Sequence, residues 1–203
     1  VRADAGALAR QLGAEMATLH RLRPPVAGLD FVPVPEGSPA SARVAQYRAW
    51  LDALDAAEPV IEWALGWLER QAPPAFDLTL IHADFRTGNY LVEQGRLTAV
   101  LDWEFATFGD PLEDLGWMLA PCWRFGVPDK EAGGVGARED LLAGYEAEAG
   151  RRAPRERLGY WQVMATVRWA VIALQQAARH RSGAARTLEL ALPAHVEPAL
   201  EAD

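Results

Sequence analysis

Residues 82–117, HADFRTGNYLVEQGRLTAVLDWEFATFGDPLEDLGW, constrain this chain more tightly than any other stretch. They gather a histidine, an asparagine and a run of carboxylates around a short apolar segment with the composition of a buried strand. Carboxylates beside a core destabilise a fold unless they are paired, hydrogen-bonded or bound to a metal ion. Any fold open to this chain must therefore give those carboxylates partners. Their spacing, His82-x-Asp84-x-x-x-x-Asn89, then a hairpin, then Asp102, indicates which chemistry supplies them.

On either side of this stretch the pattern is helical. Leu8, Leu12, Met16 and Leu19 recur at helical spacing within residues 4–22. Residues 24–40 are rich in Pro and Gly and read as an irregular connection. Two helices follow, one capped near Ser41 and one ending before Pro73-Pro74, a pair that cannot continue a helix. The strand candidates are 78–82, 90–93 and 97–105, the last two joined by a Gln94-Gly95 turn. Asp110-Pro111 reads as an N-cap with proline at the first helical position. Beyond it lie a helix ended by Gly150, a long apolar helix from Arg155 to His180, and a last helix within 183–192. The fold class is α+β, mostly α-helical, with a small hairpin island carrying the unusual residues.

Protein kinases use a catalytic loop H-R-D-x-x-x-x-N, whose Asp takes the acceptor's proton and whose Asn holds a Mg²⁺. A further Asp, beyond a short hairpin, holds the metal that bridges the nucleotide phosphates. These residue types suit the task. Phosphoryl transfer needs charge neutralisation and alignment, and Mg²⁺ is a hard ion that takes oxygen ligands from Asp and Asn.

HADFRTGN and VLDWEFATFGDPLEDLGW resemble the catalytic loop and metal strand of the aminoglycoside phosphotransferase and choline-kinase-like branch of the protein-kinase-like fold. Within that branch the chain looks most like bacterial proteins related to the kinase-like domains fused to acyl-CoA dehydrogenases. The family usually has Gly where Ala83 stands. The resemblance implies that residues 1–203 form the C-terminal catalytic and acceptor-binding lobe. It implies Asp84 as the base, Arg86 near the transferred phosphate, and Asn89 and Asp102 as ligands of Mg²⁺ and the nucleotide. Glu104 matches an acidic position that helps hold a second metal, and Asp114 one that braces the catalytic loop. The implied cofactors are Mg²⁺ and ATP or another nucleoside triphosphate. The implied acceptor is a small-molecule hydroxyl, aminoglycoside-like or hydroxyacyl-CoA-like. The alternative is a non-catalytic binding or regulatory module built on the same lobe.

A kinase of this fold also needs a nucleotide-covering loop and a strand lysine. Neither precedes His82, and the sole lysine, Lys130, follows the metal motif. An N-terminal lobe of the same protein is therefore the expected partner. The formal charge of −8 argues against nucleic acid, and no stretch approaches the roughly 18 apolar residues of a membrane span. Cys122 is the only cysteine, so a reducing cytoplasm is expected. His82 reads as a loop brace. His20 and His180 stand near helix ends, where a cation suits the dipole, and His195 lacks metal spacing. The eight tryptophans read as core. Arg168, Gln175 and Arg179 form a helical stripe suited to an acceptor, unless Arg168 pairs with an acid inside the fold. Strand alternation puts Asp102 and Glu104 on one side and Trp103 in the core. A two-residue turn sets Asn89 opposite Val100.

Overall fold

The computed structural model describes residues 5–54 and 58–182. The first helix, α1 (Ala5–Leu19), buries Leu12 and Met16 fully, as its apolar spacing requires. It lies against α5 (Arg138–Ala149) at backbone distance. A Cβ at Gly13 would fall on the Leu141 carbonyl, and one at Gly144 on that of Arg10, so the two glycines allow the close crossing.

Helices α2 (Pro39–Leu54) and α3 (Pro59–Arg70) follow the Pro-rich connection. The first starts at Pro39, ahead of Ser41, so Ser41 lies inside its first turn and does not cap it. The long helix α6 (Arg155–Arg181) packs on α4 (Leu112–Met118), α3 and α2 around one main core. Gly116 in α4 touches the Trp161 backbone, again a contact that only a missing side chain permits. The helix expected within 183–192 lies outside the described residues.

Two antiparallel ribbons hold the carboxylate-rich stretch. β1 (Thr79–Ile81) pairs with β4 (Thr107–Gly109), Leu80 opposite Phe108. The ribbon delivers the chain into His82 at one end and returns it to Asp110 and α4. β2 (Tyr90–Glu93) and β3 (Arg96–Val100) form the hairpin, turned by Gln94 and Gly95 with φ of 51° and 79°. Positive φ at both turn residues fits the twist of paired strands.

Two expectations fail here. The strand over 97–105 stops at Val100, Asp102 takes a left-handed backbone (φ 59°), and Trp103–Phe105 form a 3-10 turn. Trp103 is therefore not core. It is 44% exposed, and its indole N–H donates to the Val100 carbonyl. The register also slips: Glu93 faces Arg96 as expected, but Leu91 faces Ala99 and Tyr90 faces Val100. Thr98 is the extra residue of a bulge, so Asn89 meets Leu101, whose N–H donates to the Asn89 carbonyl at 2.8 Å. Among the described residues no helix is long and apolar enough to cross a membrane.

Candidate active site

β1 ends at Ile81, and the loop that opens with His82 is pinned from both sides. The buried Asp114 carboxylate accepts the backbone N–H groups of His82 and Ala83, each at 2.8 Å. His20 donates to the same carboxylate at 3.1 Å from Nε2, and its Nδ1 lies 3.1 Å from the Tyr145 hydroxyl. His20, directly after the last residue of α1, is thus a buried link between that helix and this loop. Burial pushes the Asp114 carboxyl up. The hydrogen bonds and charge of His20 and the His82 N–H outweigh that, and hold it below the usual carboxylate range.

His82 is the loop brace that its position suggests. Its Nε2 donates to the Leu101 carbonyl at 2.7 Å, and its Nδ1 accepts the Asp84 N–H at 3.2 Å. One imidazole thus ties the start of the loop to the chain just before Asp102. Ala83 bridges these bonds with a left-handed backbone, φ 61°, and its carbonyl accepts from the Arg168 guanidinium.

The Asp84 carboxylate, 7% exposed, faces donors only. Oδ2 accepts from Asn89 Nδ2 at 2.6 Å, and Oδ1 from Trp117 Nε1 at 2.8 Å. The Arg86 Nε stands 3.3 Å from Oδ2 and an Arg168 nitrogen 3.8 Å from Oδ1. Each guanidinium lies over an indole, Arg86 on Trp123 at 4.7 Å and Arg168 on Trp117 at 4.2 Å. Rings so placed add attraction and keep the cations in position.

Asn89 is 2% exposed, and both of its side-chain hydrogen bonds leave from Nδ2, toward Asp84. Among the described residues its amide oxygen accepts none. Asp102 and Glu104 are exposed, and among the described residues no ion pair or hydrogen bond engages the Asp102 carboxylate. Among those residues no three His, Cys, Asp or Glu side chains form a metal cluster. A metal here would instead take the free Asn89 oxygen together with Asp102, hard oxygen donors that fit Mg²⁺.

The sequence-predicted residues thus sort into two groups. Asp84, Arg86 and Asn89 meet directly, while Asp102 and Glu104 join through the Leu101–Asn89 backbone bond. Arg168 leaves its supposed stripe: it is 7% exposed and points at Asp84, whereas Arg179 is exposed. A lone arginine in the apolar run VRWAVIAL signals a buried ion pair, because Arg is almost never buried without a partner. Trp117 was not legible as a site residue. It lies one turn beyond Asp114 at a core position, and its ring is itself buried. The tryptophans are not uniformly core, since Trp63 is 69% exposed.

Behind the loop, Glu113 is buried and paired with Arg43 at 2.8 Å. Burial pushes the Glu113 carboxyl up, while Arg43 and Arg168 draw it down less strongly. Asp110 caps α4 in effect, its Oδ1 accepting the Leu112 N–H at 3.0 Å, and it pairs with Arg157.

Comparison with known proteins adds to this geometry. Mouse acyl-CoA dehydrogenase family member 10 is 37% identical over 89 residues, which are 41% of this chain and 8% of that protein. Escherichia coli hygromycin-B 4-O-kinase is 58% identical over 31 residues, 15% of this chain and 9% of the relative. A Ralstonia eutropha structure described as an aminoglycoside phosphotransferase superposes with a TM-score of 0.78 at 19% identity. That match covers 97% of this chain and 63% of the other. The GDP complex of aminoglycoside 2'-phosphotransferase-IIIa superposes with a TM-score of 0.62 at 14% identity, over 100% of this chain and 64% of that one. The chain therefore spans less than two thirds of these neighbours, and a small part of the curated relatives. Both superpositions establish a kinase-like α+β fold. The sequence pattern of the phosphotransferase enzyme family (APH) matches residues 1–160, and this chain belongs to that family.

Proposed function

We propose that this chain is the catalytic and acceptor-binding lobe of an ATP-dependent kinase that phosphorylates a hydroxyl of a small molecule. An N-terminal lobe of the same protein completes the nucleotide site, and the enzyme works in the cytoplasm. The acceptor is aminoglycoside-like or hydroxyacyl-CoA-like. The observation that carries the reading is the Asp84–Asn89 contact at 2.6 Å, set in a loop fixed by His82 and Asp114.

Asp84 is the base. Trp117 and Asn89 hold its two oxygens in a fixed direction, so the carboxylate is aligned before the acceptor arrives. Arg86 partly faces solvent beside it, where a guanidinium can meet the transferred phosphoryl group. Asn89 and Asp102 would hold Mg²⁺, with Glu104 close to a second ion. When bound, the metal neutralises phosphate charge. The left-handed backbone at Asp102 is the kind of local strain that concentrates at functional sites.

Asp84→Asn in the full-length protein tests the reading. Asn keeps the shape but cannot take a proton, so turnover should fall by about 10²–10⁴, the usual range for a general base. Unchanged turnover with an unaltered unfolding midpoint would remove Asp84 from the mechanism.

A further inference from the structure

Tyr145 stands on α5, far from Asp84 in the chain, yet its hydroxyl meets the network that holds the catalytic loop. The close crossing of α1 and α5 brings it there. A Cβ at Gly13 would lie 2.8 Å from the Tyr145 backbone nitrogen, so the bare glycine lets α5 approach α1 and the His20 that follows it. Tyr145, His20 and Asp114 are all buried, so water does not compete for their hydrogen bonds. Proton counting gives each bond a direction. Asp114 is ionised and can only accept, so the ring nitrogen that faces it, Nε2, carries a proton. In the neutral imidazole Nδ1 is then an acceptor, and the Tyr145 hydroxyl donates to it at 3.1 Å. Burial pushes that hydroxyl up to about 12, so it keeps its proton. The bonds run one way, from Tyr145 through His20 to Asp114, and Asp114 in turn holds the His82 and Ala83 N–H groups.

We propose that Tyr145 is a positioning residue for the catalytic loop: its hydroxyl sets the plane of the His20 ring and so aims Nε2 at Asp114. An imidazole held at one nitrogen can turn about that bond, whereas one held at both nitrogens cannot. Loss of the hydroxyl leaves Nδ1 buried without a donor. Turning the ring relieves that cost but withdraws Nε2 from Asp114, whose Oδ2 then loses a donor. The carboxylate is freed to shift, and the His82 and Ala83 amides shift with it. Asp84 follows Ala83 directly, so the direction of its carboxylate depends on this chain of contacts. That last consequence matters to catalysis only under the kinase reading above; the hold on the loop does not rest on it.

Tyr145→Phe keeps the ring and removes only its oxygen, and NMR of the 203-residue chain reads the result without any phosphoryl transfer. Imidazole nitrogen spectra of the parent at pH 8 should show His20 protonated at Nε2. In Tyr145→Phe the His82 and Ala83 amides should exchange with solvent about threefold to tenfold faster, the worth of one neutral hydrogen bond, while amides in the middle of α6 keep their rates. A glutamine at position 20 can donate to Asp114 without help from a tyrosine, so in a His20→Gln background the same substitution should leave those amides unchanged. A His20 protonated at Nδ1, unaltered His82 and Ala83 amides, or an equal effect in the His20→Gln background would each overturn the assignment. The last would mean that Tyr145 acts by packing alone. In the full-length protein Tyr145→Phe should lower kcat by a similar factor and leave KM for the nucleotide unchanged, and a change in KM alone would overturn the catalytic consequence. Full turnover in Asp84→Asn would remove the kinase reading and leave the amide result standing.

Discussion

Ala83 illustrates how single residues are held at this site. Its φ of 61° costs an L-residue roughly 1–2 kcal/mol, and glycine would relieve that. Glycine brings two costs of its own. Extra backbone entropy takes about 0.5–1 kcal/mol, and the lost methyl, buried at this position, about 0.8 kcal/mol. The terms nearly cancel, so a chain can carry Ala where the family pattern has Gly. Ala83→Gly should therefore move stability by less than about 1 kcal/mol, whereas Ala83→Val, β-branched in the left-handed region, should cost about 2 kcal/mol or more. Urea midpoints measure both. A large gain from Gly would mean that strain, and not the Asp114 and Arg168 hydrogen bonds on either side of Ala83, dominates there.

At the scale of elements, the β1–β4 ribbon and α4 carry the site, and Asp110 joins them. Its carboxyl is pushed up to about 6 by burial, which the Leu112 N–H and the Arg157 guanidinium only partly offset. The folded state then keeps a proton that the unfolded chain loses near the ordinary value of 3.8. Stability from Asp110 is thus fully present below that value and is lost as pH rises through about 6. The full span is about 3 kcal/mol at 1.36 kcal/mol per unit. Asp110→Asn keeps a capping oxygen, and its stability should gain on the parent between pH 4 and 7 by a comparable amount. Parallel pH–stability curves for the two proteins would show that Asp110 is not buried in neutral form. Much of this architecture was legible in the sequence. β2 matches residue for residue, and α6 falls within a residue of its expected end, because their apolar runs are bounded by Gly95 and by Pro154. The hairpin register was not legible, since a bulge at Thr98 adds one residue without any special residue type to mark it. Strand alternation failed at Asp102 for a related reason: the Leu101 carbonyl is taken by His82, a tertiary bond that a local pattern does not contain.

Over the whole molecule the electrostatics oppose the ligand that the site is proposed to use. The chain carries a formal charge of −8, and a nucleoside triphosphate is itself a polyanion. The two arginines nearest Asp84 are engaged, Arg168 with the Ala83 carbonyl and Asp84, Arg86 with Asp84 and the Thr87 carbonyl. Lys130, the sole lysine, lies in a turn between α4 and α5 and is not among the residues that meet at Asp84. What the proposed site would offer the phosphates is a metal that Asn89 and Asp102 would hold, supplying attraction but little enclosure. Ligand sites generally bury most of the ligand's surface, and under the proposed reading the surface for adenine and ribose comes from an N-terminal lobe. The 203-residue chain should therefore bind Mg²⁺–ATP only in the millimolar range, about −4 kcal/mol, and transfer no phosphate by itself. Calorimetric titration measures this directly, and omission of Mg²⁺ should remove the residual heat. Micromolar or tighter binding would mean that the nucleotide site lies wholly within this chain, and the two-lobe reading would fall.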